Sequence, residues 1–357
     1  MRSAVIYMPA EMNLKDDEKP MKDTLIKLDQ VNTFFPYEKS LLGKVNSWIK
    51  AVNDVSLNIY TGECLGLVGE SGCGKSTLGR TILRLAPLYS GSIYFMGDEI
   101  GSLGNSSLKK YRAKMQMVFQ DPKASLNPKM SVLKILAEAL NLNPGVEKKT
   151  YLEQGVTLLD LVDLRPEHIF RYPHEFSGGQ QQRISIARAL ATDPRFIVFD
   201  EATSALDVSV QAQIINLMGK LQQKLNLTYL FISHDLSIME HACDRVAVMY
   251  AGQIVEVQDA ASLFNTPRHP YTKALKDAVP LADPQLKTEL GILRGEVPKL
   301  SDPPSGCRFH PRCDYAQEIC KKKNPGVSTT GQHNWVRCHF SERLWDQGVL
   351  IKNKELL

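Results

Sequence analysis

The sequence predicts an α/β protein built on a parallel β-sheet with helices on both faces. Two observations carry the prediction. The runs Arg195-Phe196-Ile197-Val198-Phe199-Asp200 and Thr228-Tyr229-Leu230-Phe231-Ile232-Ser233 are almost wholly apolar and of strand length, and a helical stretch from Gln211 to Leu225 separates them. Strands buried on both faces and joined by helices are the mark of a parallel sheet. The second observation is Gly69-Glu70-Ser71-Gly72-Cys73-Gly74-Lys75-Ser76-Thr77, which fits G-x-x-x-x-G-K-[ST]. It lies between the apolar strand Cys64-Leu65-Gly66-Leu67-Val68 and a helix, Thr77 to Leu85, with Leu78, Ile82 and Leu85 at helical spacing. With 357 residues and 43% hydrophobic content, the chain has room for one large or two ordinary domains around a real core.

Taken in order, Met1 to Asp23 mixes acids and bases without an apolar stretch, so it reads as a loose tail and not as a signal peptide. Leu25 to Val31 alternates apolar and polar residues and reads as a half-exposed strand. The aromatic and basic stretch Phe34 to Lys50 reads as a loop, and Val52 to Ile59 as a second strand closed by the turn Tyr60-Thr61-Gly62-Glu63. Ile93-Tyr94-Phe95 starts another strand. Helical spacing recurs from Ser131 to Leu142, from Tyr151 to Leu164 ahead of Pro166, and from Gln181 to Ala191. After Asn265 prolines become frequent (Pro267, Pro270, Pro280, Pro284), and a second unit is expected there. The net charge of +4 is too small for a nucleic-acid-binding stripe, so no nucleic-acid partner is expected. No apolar run is long enough to span a membrane as a helix. These features favour the cytoplasm, where seven cysteines suggest thiols or metal ligands before disulfides.

Strand, glycine loop and helix together aim backbone N–H groups and a positive helix end at a polyphosphate. Gly69, Gly72 and Gly74 let the backbone curl around the phosphates, Lys75 would hold the β- and γ-phosphates, and the Ser76 hydroxyl would ligate Mg2+. The stretch from Gly69 to Thr77 is therefore expected to bind a nucleoside triphosphate. Asp200, which closes an apolar strand, is expected to hold the Mg2+ through water. Glu201 follows it and would orient and deprotonate an attacking water. Ser177 is a good N-cap for the helix that follows, and Gly178 and Gly179 leave N–H groups open at its positive end. Taken alone, that start is equally an ordinary helix cap.

Together, Ser177-Gly178-Gly179-Gln180, Gln120 after Met117-Val118-Phe119, Ser204-Ala205-Leu206-Asp207 and His234 resemble the signature, Q-loop, D-loop and switch histidine of ABC ATPases. The resemblance implies a RecA-like parallel-sheet core, an antiparallel β subdomain and a helical signature subdomain at about 121–185, within a cassette spanning 24–265. It also implies ATP and Mg2+ as cofactors, with Gln120 reaching the ion beside Ser76 and Asp200, and His234 holding the γ-phosphate and Glu201 in line. Two cassettes would face head to tail, the signature of one closing on the ATP of the other, and Asp207 would be the D-loop aspartate. In this family an aromatic ring upstream of the loop stacks on adenine; Phe35 is the choice here, with Phe34 and Tyr37 as rivals.

Four cysteines remain in the last part of the chain: Cys307, Cys313, Cys320 and Cys338. Their intervals are not the paired C-x-x-C of zinc ribbons, and four thiolates suit either an iron–sulfur cluster or zinc. His310, His333 and His339 lie nearby and read as bystanders. This tail, with Asn265-Thr266-Pro267-Arg268-His269-Pro270-Tyr271-Thr272 ahead of it, resembles the C-terminal extension of oligopeptide/dipeptide importer ATP-binding subunits, here 266–357. In some members that extension carries a [4Fe–4S] cluster, with Zn2+ the alternative for these thiols. Phe119-Gln120-Asp121-Pro122 and Ser125-Leu126-Asn127-Pro128 also look like this subfamily, while Ala202-Thr203 departs from it where many relatives have a proline after the glutamate.

The resemblance implies an ATPase on the cytoplasmic face of the membrane, paired with a second, non-identical ATPase subunit and two transmembrane permease subunits. An extracellular or periplasmic solute-binding protein would act through them. Peptides are the expected solute, with nickel or sugars moved by other relatives. The alternative classes are a soluble ABC protein of translation or DNA repair and a redox sensor.

Overall fold

The computed structural model describes residues 23–39, 45–143, 145–204, 206–278 and 295–346. The expected N-terminal tail up to residue 22, Ala205, Pro280 and Pro284 lie outside the described residues. In chain order the regular elements begin with β1 (Thr24–Lys39), β2 (Val45–Tyr60), β3 (Cys64–Val68), α1 (Lys75–Ile82), β4 (Ser90–Phe95), β5 (Asp98–Glu99), α2 (Asn105–Arg112) and β6 (Met115–Val118). Next come α3 (Pro122–Ser125), α4 (Val132–Leu140), α5 (Tyr151–Leu161), α6 (Gly178–Leu190), β7 (Phe196–Asp200), α7 (Val208–Leu225), β8 (Thr228–Ile232) and α8 (Leu236–Ala242). The chain continues through β9 (Arg245–Tyr250), β10 (Gln253–Asp259), α9 (Ala260–Asn265), α10 (Pro270–Asp277), α11 (Glu318–Lys322), β11 (Ser328–Thr329), β12 (Trp335–Val336) and α12 (Ser341–Asp346).

Five strands, in the order β9-β3-β8-β7-β6, pair in parallel and form the expected central sheet. Every residue of β3, β7 and β8 is buried. Alternate side chains explain why. Leu65, Leu67, Val198, Leu230 and Ile232 face the core shared with α1 and the antiparallel sheet, while Val68, Ile197, Phe199, Tyr229 and Phe231 face the core under α4 to α7. A strand with two dry faces has no polar position to alternate with, which is why these runs read as continuous.

A second sheet, β2-β1-β4-β5, is antiparallel and packs through Ile26, Leu28, Val52 and Ile59 on the α1 side. Here the structure corrects one expectation. Phe34 to Lys50 was expected to be a loop, yet β1 continues to Lys39 and β2 begins at Val45, with Phe34 opposite Lys50 and Phe35 opposite Ile49. Several register shifts break the pairing, among them one between Thr33 and Phe34 and one between Pro36 and Glu38. Each bulge resets the two-residue alternation, so the periodic signal disappears while the strand persists. The ring of Phe34 packs 4.6 Å from that of Tyr89, and Trp48 meets Tyr89 edge-on at 5.4 Å.

The segment after Asn265 returns to the cassette. Trp335 and Val336 of β12 pair antiparallel with Val257 and Glu256 of β10, extending the main sheet past β9. Arg337 reinforces the join, its backbone N–H donating to Val255 and its guanidinium pairing with Asp54 at 3.1 Å. Among the described residues no helix is long and apolar enough to cross a membrane.

Candidate nucleotide site

Ligands on an open parallel sheet collect beyond the carboxyl ends of its strands. The loop after β3 lies there and turns directly into α1. Gly74, the N-cap of α1, has φ +111°, and a Cβ on it would sit 2.1 Å from the Ala51 carbonyl oxygen. Gly72 has φ +77° with nothing within 4 Å of the direction a side chain would take, so that side of the loop is open. The Lys75 ammonium folds back over the loop and donates to the carbonyls of Gly69 at 2.7 Å and Glu70 at 3.1 Å.

The carboxylates arrive on β7. The Ser76 hydroxyl donates to Asp200 Oδ1 at 2.6 Å, which brings the two expected Mg2+ ligands together, and Arg80 approaches the other oxygen at 3.5 Å. Asp200 is buried at the strand end, whereas Glu201, one residue on, is only partly so. Glu201 has φ +49°, the left-handed region that a side chain adopts only at a cost of about 1–3 kcal/mol. Its N–H donates to Ile232 on β8, and its carbonyl accepts from both the N–H and the hydroxyl of Ser204. These bonds hold the kink that aims the carboxylate away from the sheet. Gln120, two residues past β6, donates from Nε2 to Glu201 Oε2 at 3.0 Å. His234, two residues past β8, brings Nδ1 to 3.7 Å from the same oxygen. Both are exposed, so the group is backed by the sheet and open on the side facing solvent.

Ser177 caps α6 as expected. Its hydroxyl accepts the Gln180 N–H at 3.4 Å while Gln180 Oε1 accepts the Ser177 N–H at 3.1 Å, a reciprocal capping box. Gly179 lies against Val210, where a Cβ would come within 2.5 Å of a methyl group. Exposed Asp207 precedes α7 and makes no side-chain capping bond. The described bonds of Ser177 and Gln180 stay within this helix start, so the structure does not bring the signature residues together with the glycine loop of the same chain. Phe35 is half-buried and, among the described residues, has no ring neighbour, unlike Phe34.

Cys307, Cys313, Cys320 and Cys338 are free thiols that line one enclosed pocket together with Phe309 and Phe340. Burial, and then the neighbouring thiols, push Cys313 up to about 12 and Cys338 to about 11. His310 and His339 line the same pocket but have backbone partners, His310 Nδ1 lying 2.9 Å from the Cys307 carbonyl and His339 Nε2 2.8 Å from that of Lys323, while His333 lies outside it with Nδ1 2.7 Å from the Tyr60 hydroxyl. Among the described residues, no group of three or more His, Cys, Asp or Glu side chains is arranged to hold a metal ion, so the expected iron–sulfur centre gains no support of that kind. The donor type still fits, since four thiols lining one pocket are of the kind a soft metal centre takes.

Three residues support the loop in a way that the sequence does not show. Tyr271 on α10 accepts the Glu70 N–H at 2.9 Å, and Arg312 grips the Glu70 carboxylate with two bonds of 2.7 and 3.0 Å. Tyr250 at the end of β9 lies 3.4 Å from Arg312. Tyr271 and Arg312 stand roughly 200 residues or more beyond Glu70, and no local pattern marks them.

With a phosphate loop, a strand-end carboxylate pair and a capped signature helix on one sheet, the fold and site define an ATP-binding cassette. Residues 52–204 match the family described as ABC transporter, and residues 255–320 match the oligopeptide/dipeptide transporter C-terminal region. The oligopeptide transport ATP-binding protein AppF of Bacillus subtilis is 47% identical over 89% of this chain and 98% of its own length. OppF of Haemophilus influenzae, described in the same words, is 44% identical over 89% and 97%. The dimeric, post-hydrolysis cassette MJ0796 bound to ADP and Pi superposes with a TM-score of 0.58 at 26% identity, covering 66% of this chain and 98% of that one. The chain belongs to the family of ATP-binding proteins of oligopeptide/dipeptide ABC transporters.

Proposed function

We propose that this chain binds and hydrolyses ATP to power an importer of oligopeptides or dipeptides, working as one of two cassettes on the cytoplasmic face of the membrane. One observation carries the ATPase assignment: Ser76, Asp200, Glu201, Gln120 and His234 converge at the carboxyl end of the sheet beside the open side of the glycine loop. In this reading Gly69 to Thr77 wraps the phosphates and Lys75 leaves the loop carbonyls for the β- and γ-oxygens. Ser76, Asp200 and Gln120 would hold Mg2+. Glu201 takes the proton of the attacking water, with Gln120 and His234 fixing its carboxylate. Phe35 stacks on adenine.

The signature residues Ser177 to Gln180, with Asp207 beside them, act on the ATP of the second cassette. Two permease subunits complete the importer, with a solute-binding protein delivering peptide to them. A groove of ≈ 410 Å³ between the β6 edge and α4 and α6, lined among others by Met117, Phe119, Ile135, Glu138 and Arg188, is the surface we assign to a permease. It adjoins Gln120, so seating there would feel the state of the site. The same proposal divides the chain into a cassette at 24–265, with its helical subdomain at about 121–185, and an extension at 266–357.

Cys307, Cys313, Cys320 and Cys338 would hold a [4Fe–4S] cluster in preference to Zn2+. That the four cysteines line one pocket supports a shared soft-metal site. Bound there, the cluster would cross-link three separate stretches of the extension.

Glu201→Gln tests the hydrolytic reading. Turnover should fall by about 10²–10⁴ while ATP binding persists, and an ATP-bound dimer should accumulate on gel filtration. Unchanged turnover would refute the assignment of the base.

A further inference from the structure

Glu70, the second residue of the phosphate loop, is held by every polar group it has. Its N–H donates to the Tyr271 hydroxyl at 2.9 Å, its carbonyl accepts from Lys75 at 3.1 Å, and its carboxylate takes two bonds from Arg312. Two of these three anchors come from beyond Asn265. The Arg312 side chain is 4% exposed and is packed beside Tyr250, with its guanidinium 5.8 Å from that ring. Phe309, three residues earlier, packs edge-on against Tyr250 at 5.2 Å and lies 5.3 Å from Tyr271. The backbone is fixed as well, with the Arg312 N–H donating to Phe309. Arg312 is therefore presented at a set position by a well-packed segment and is no loose surface arginine.

A carboxylate beside a triphosphate site is an odd choice on electrostatic grounds. Glu70 stands between Gly69 and Ser71, five residues before the lysine that would bind phosphate, and its charge opposes the polyanion. Arg312 offsets that charge and, through a planar bidentate grip, fixes where the carboxylate points. We infer that Arg312 is a positioning residue of the ATP site, through which the C-terminal extension holds Glu70 and sets the nucleotide affinity of the phosphate loop. It acts through Glu70 and touches no nucleotide itself. The inference rests on reading Gly69 to Thr77 as the ATP loop, and its test keeps the two apart.

The test is ATP affinity of the full-length chain by calorimetry, with thermal melting as a check on folding. Arg312→Ala should weaken ATP binding about tenfold, within the usual range of coupling between sites. Adding Glu70→Gln to Arg312→Ala removes the charge that was left unpaired, and affinity should return to within about threefold of wild type. A simple loss of packing would not be repaired by that second change. Arg312→Lys, which keeps the charge but not the fork, should fall between wild type and Arg312→Ala and guards against a misfolded alanine variant. Wild-type affinity in Arg312→Ala overturns the inference, and so does a loss that Glu70→Gln fails to restore or that Arg312→Lys shares in full. Lys75→Ala should abolish binding whatever occupies position 312; if it does not, the reading of the loop fails on its own account.

Discussion

His269 shows how one buried side chain can set the acid tolerance of the fold. It is 1% exposed, and its Nδ1 accepts the Tyr271 N–H at 3.0 Å, capping α10 just where Tyr271 turns to meet Glu70. Burial holds its pKa down to about 3 against an ordinary value of 6.5, because a charged ring would be desolvated and would lose its acceptor. Above pH 6.5 neither state binds the proton and the group is neutral in its effect. Below that, the unfolded chain takes up a proton that the folded chain refuses, so stability falls by about 1.4 kcal/mol per pH unit until about pH 3. Glu256, pushed up by burial, titrates with the opposite sign, but it does so with or without the imidazole. Denaturant titrations at pH 7.5 and 5 should show wild type losing roughly 2 kcal/mol more than His269→Asn, which keeps a capping acceptor. Parallel losses would show that the ring does not titrate in this way. Single residues were legible in the sequence where they stand at strand ends: Asp200, Glu201, Gln120 and His234 each follow an apolar run by one or two positions, so topology alone brought them together. Arg312 and Tyr271 were not, because what defines them is a partner far along the chain.

At the scale of elements, α6 is the clearest case of a helix whose start has more to do than begin a helix. Its capping box is satisfied within itself, and Gly178 and Gly179 keep its first turn bare. Among the described residues, nothing in that first turn is hydrogen-bonded to Lys75 or Ser76 of the same chain, so an arginine there should leave this molecule's own ATP alone. Ser177→Arg should therefore cut turnover by on the order of 10² or more while changing ATP affinity little, apart from about 1 kcal/mol of stability lost with the cap. Measuring affinity and turnover on the same preparation decides it, and a fall in affinity matching the fall in rate would mean the signature acts in cis. The buried strands and long helices were visible as periodicity or its saturation, which is why β3, β7, β8 and α7 fell where expected. The hairpin of β1 and β2 was not, because its bulges move side chains from face to face every few residues and leave an aromatic, basic string with no period.

For the whole molecule, the question is whether the extension is a passenger or part of the cassette. A change in composition after Asn265 suggested a separate unit, and composition has no means of showing that a later strand returns to the first sheet. The structure joins them at many places, three of which carry the most. β12 lengthens the main sheet by pairing with β10, Arg308 bonds to Ala251 and Asn53, and Arg312 bonds to Glu70. Phe309 adds a buried ring packed among Tyr250, His269 and Tyr271. A chain ending at Ala278 would lose all of this. Removing a buried phenylalanine side chain alone costs about 3–5 kcal/mol. In a domain of this size that corresponds to a drop of roughly 10 °C in Tm, before the lost guanidinium bonds are added. The β10 edge would also be uncovered, inviting edge-to-edge association. The truncated chain should therefore melt at least roughly 10 °C lower than the full chain and aggregate on heating. Differential scanning calorimetry of the two chains side by side checks this. If the truncated cassette melted within a degree or two of the full chain, the three joins would be contacts of convenience, and a strut from the extension to the phosphate loop would have no rigid base to push from.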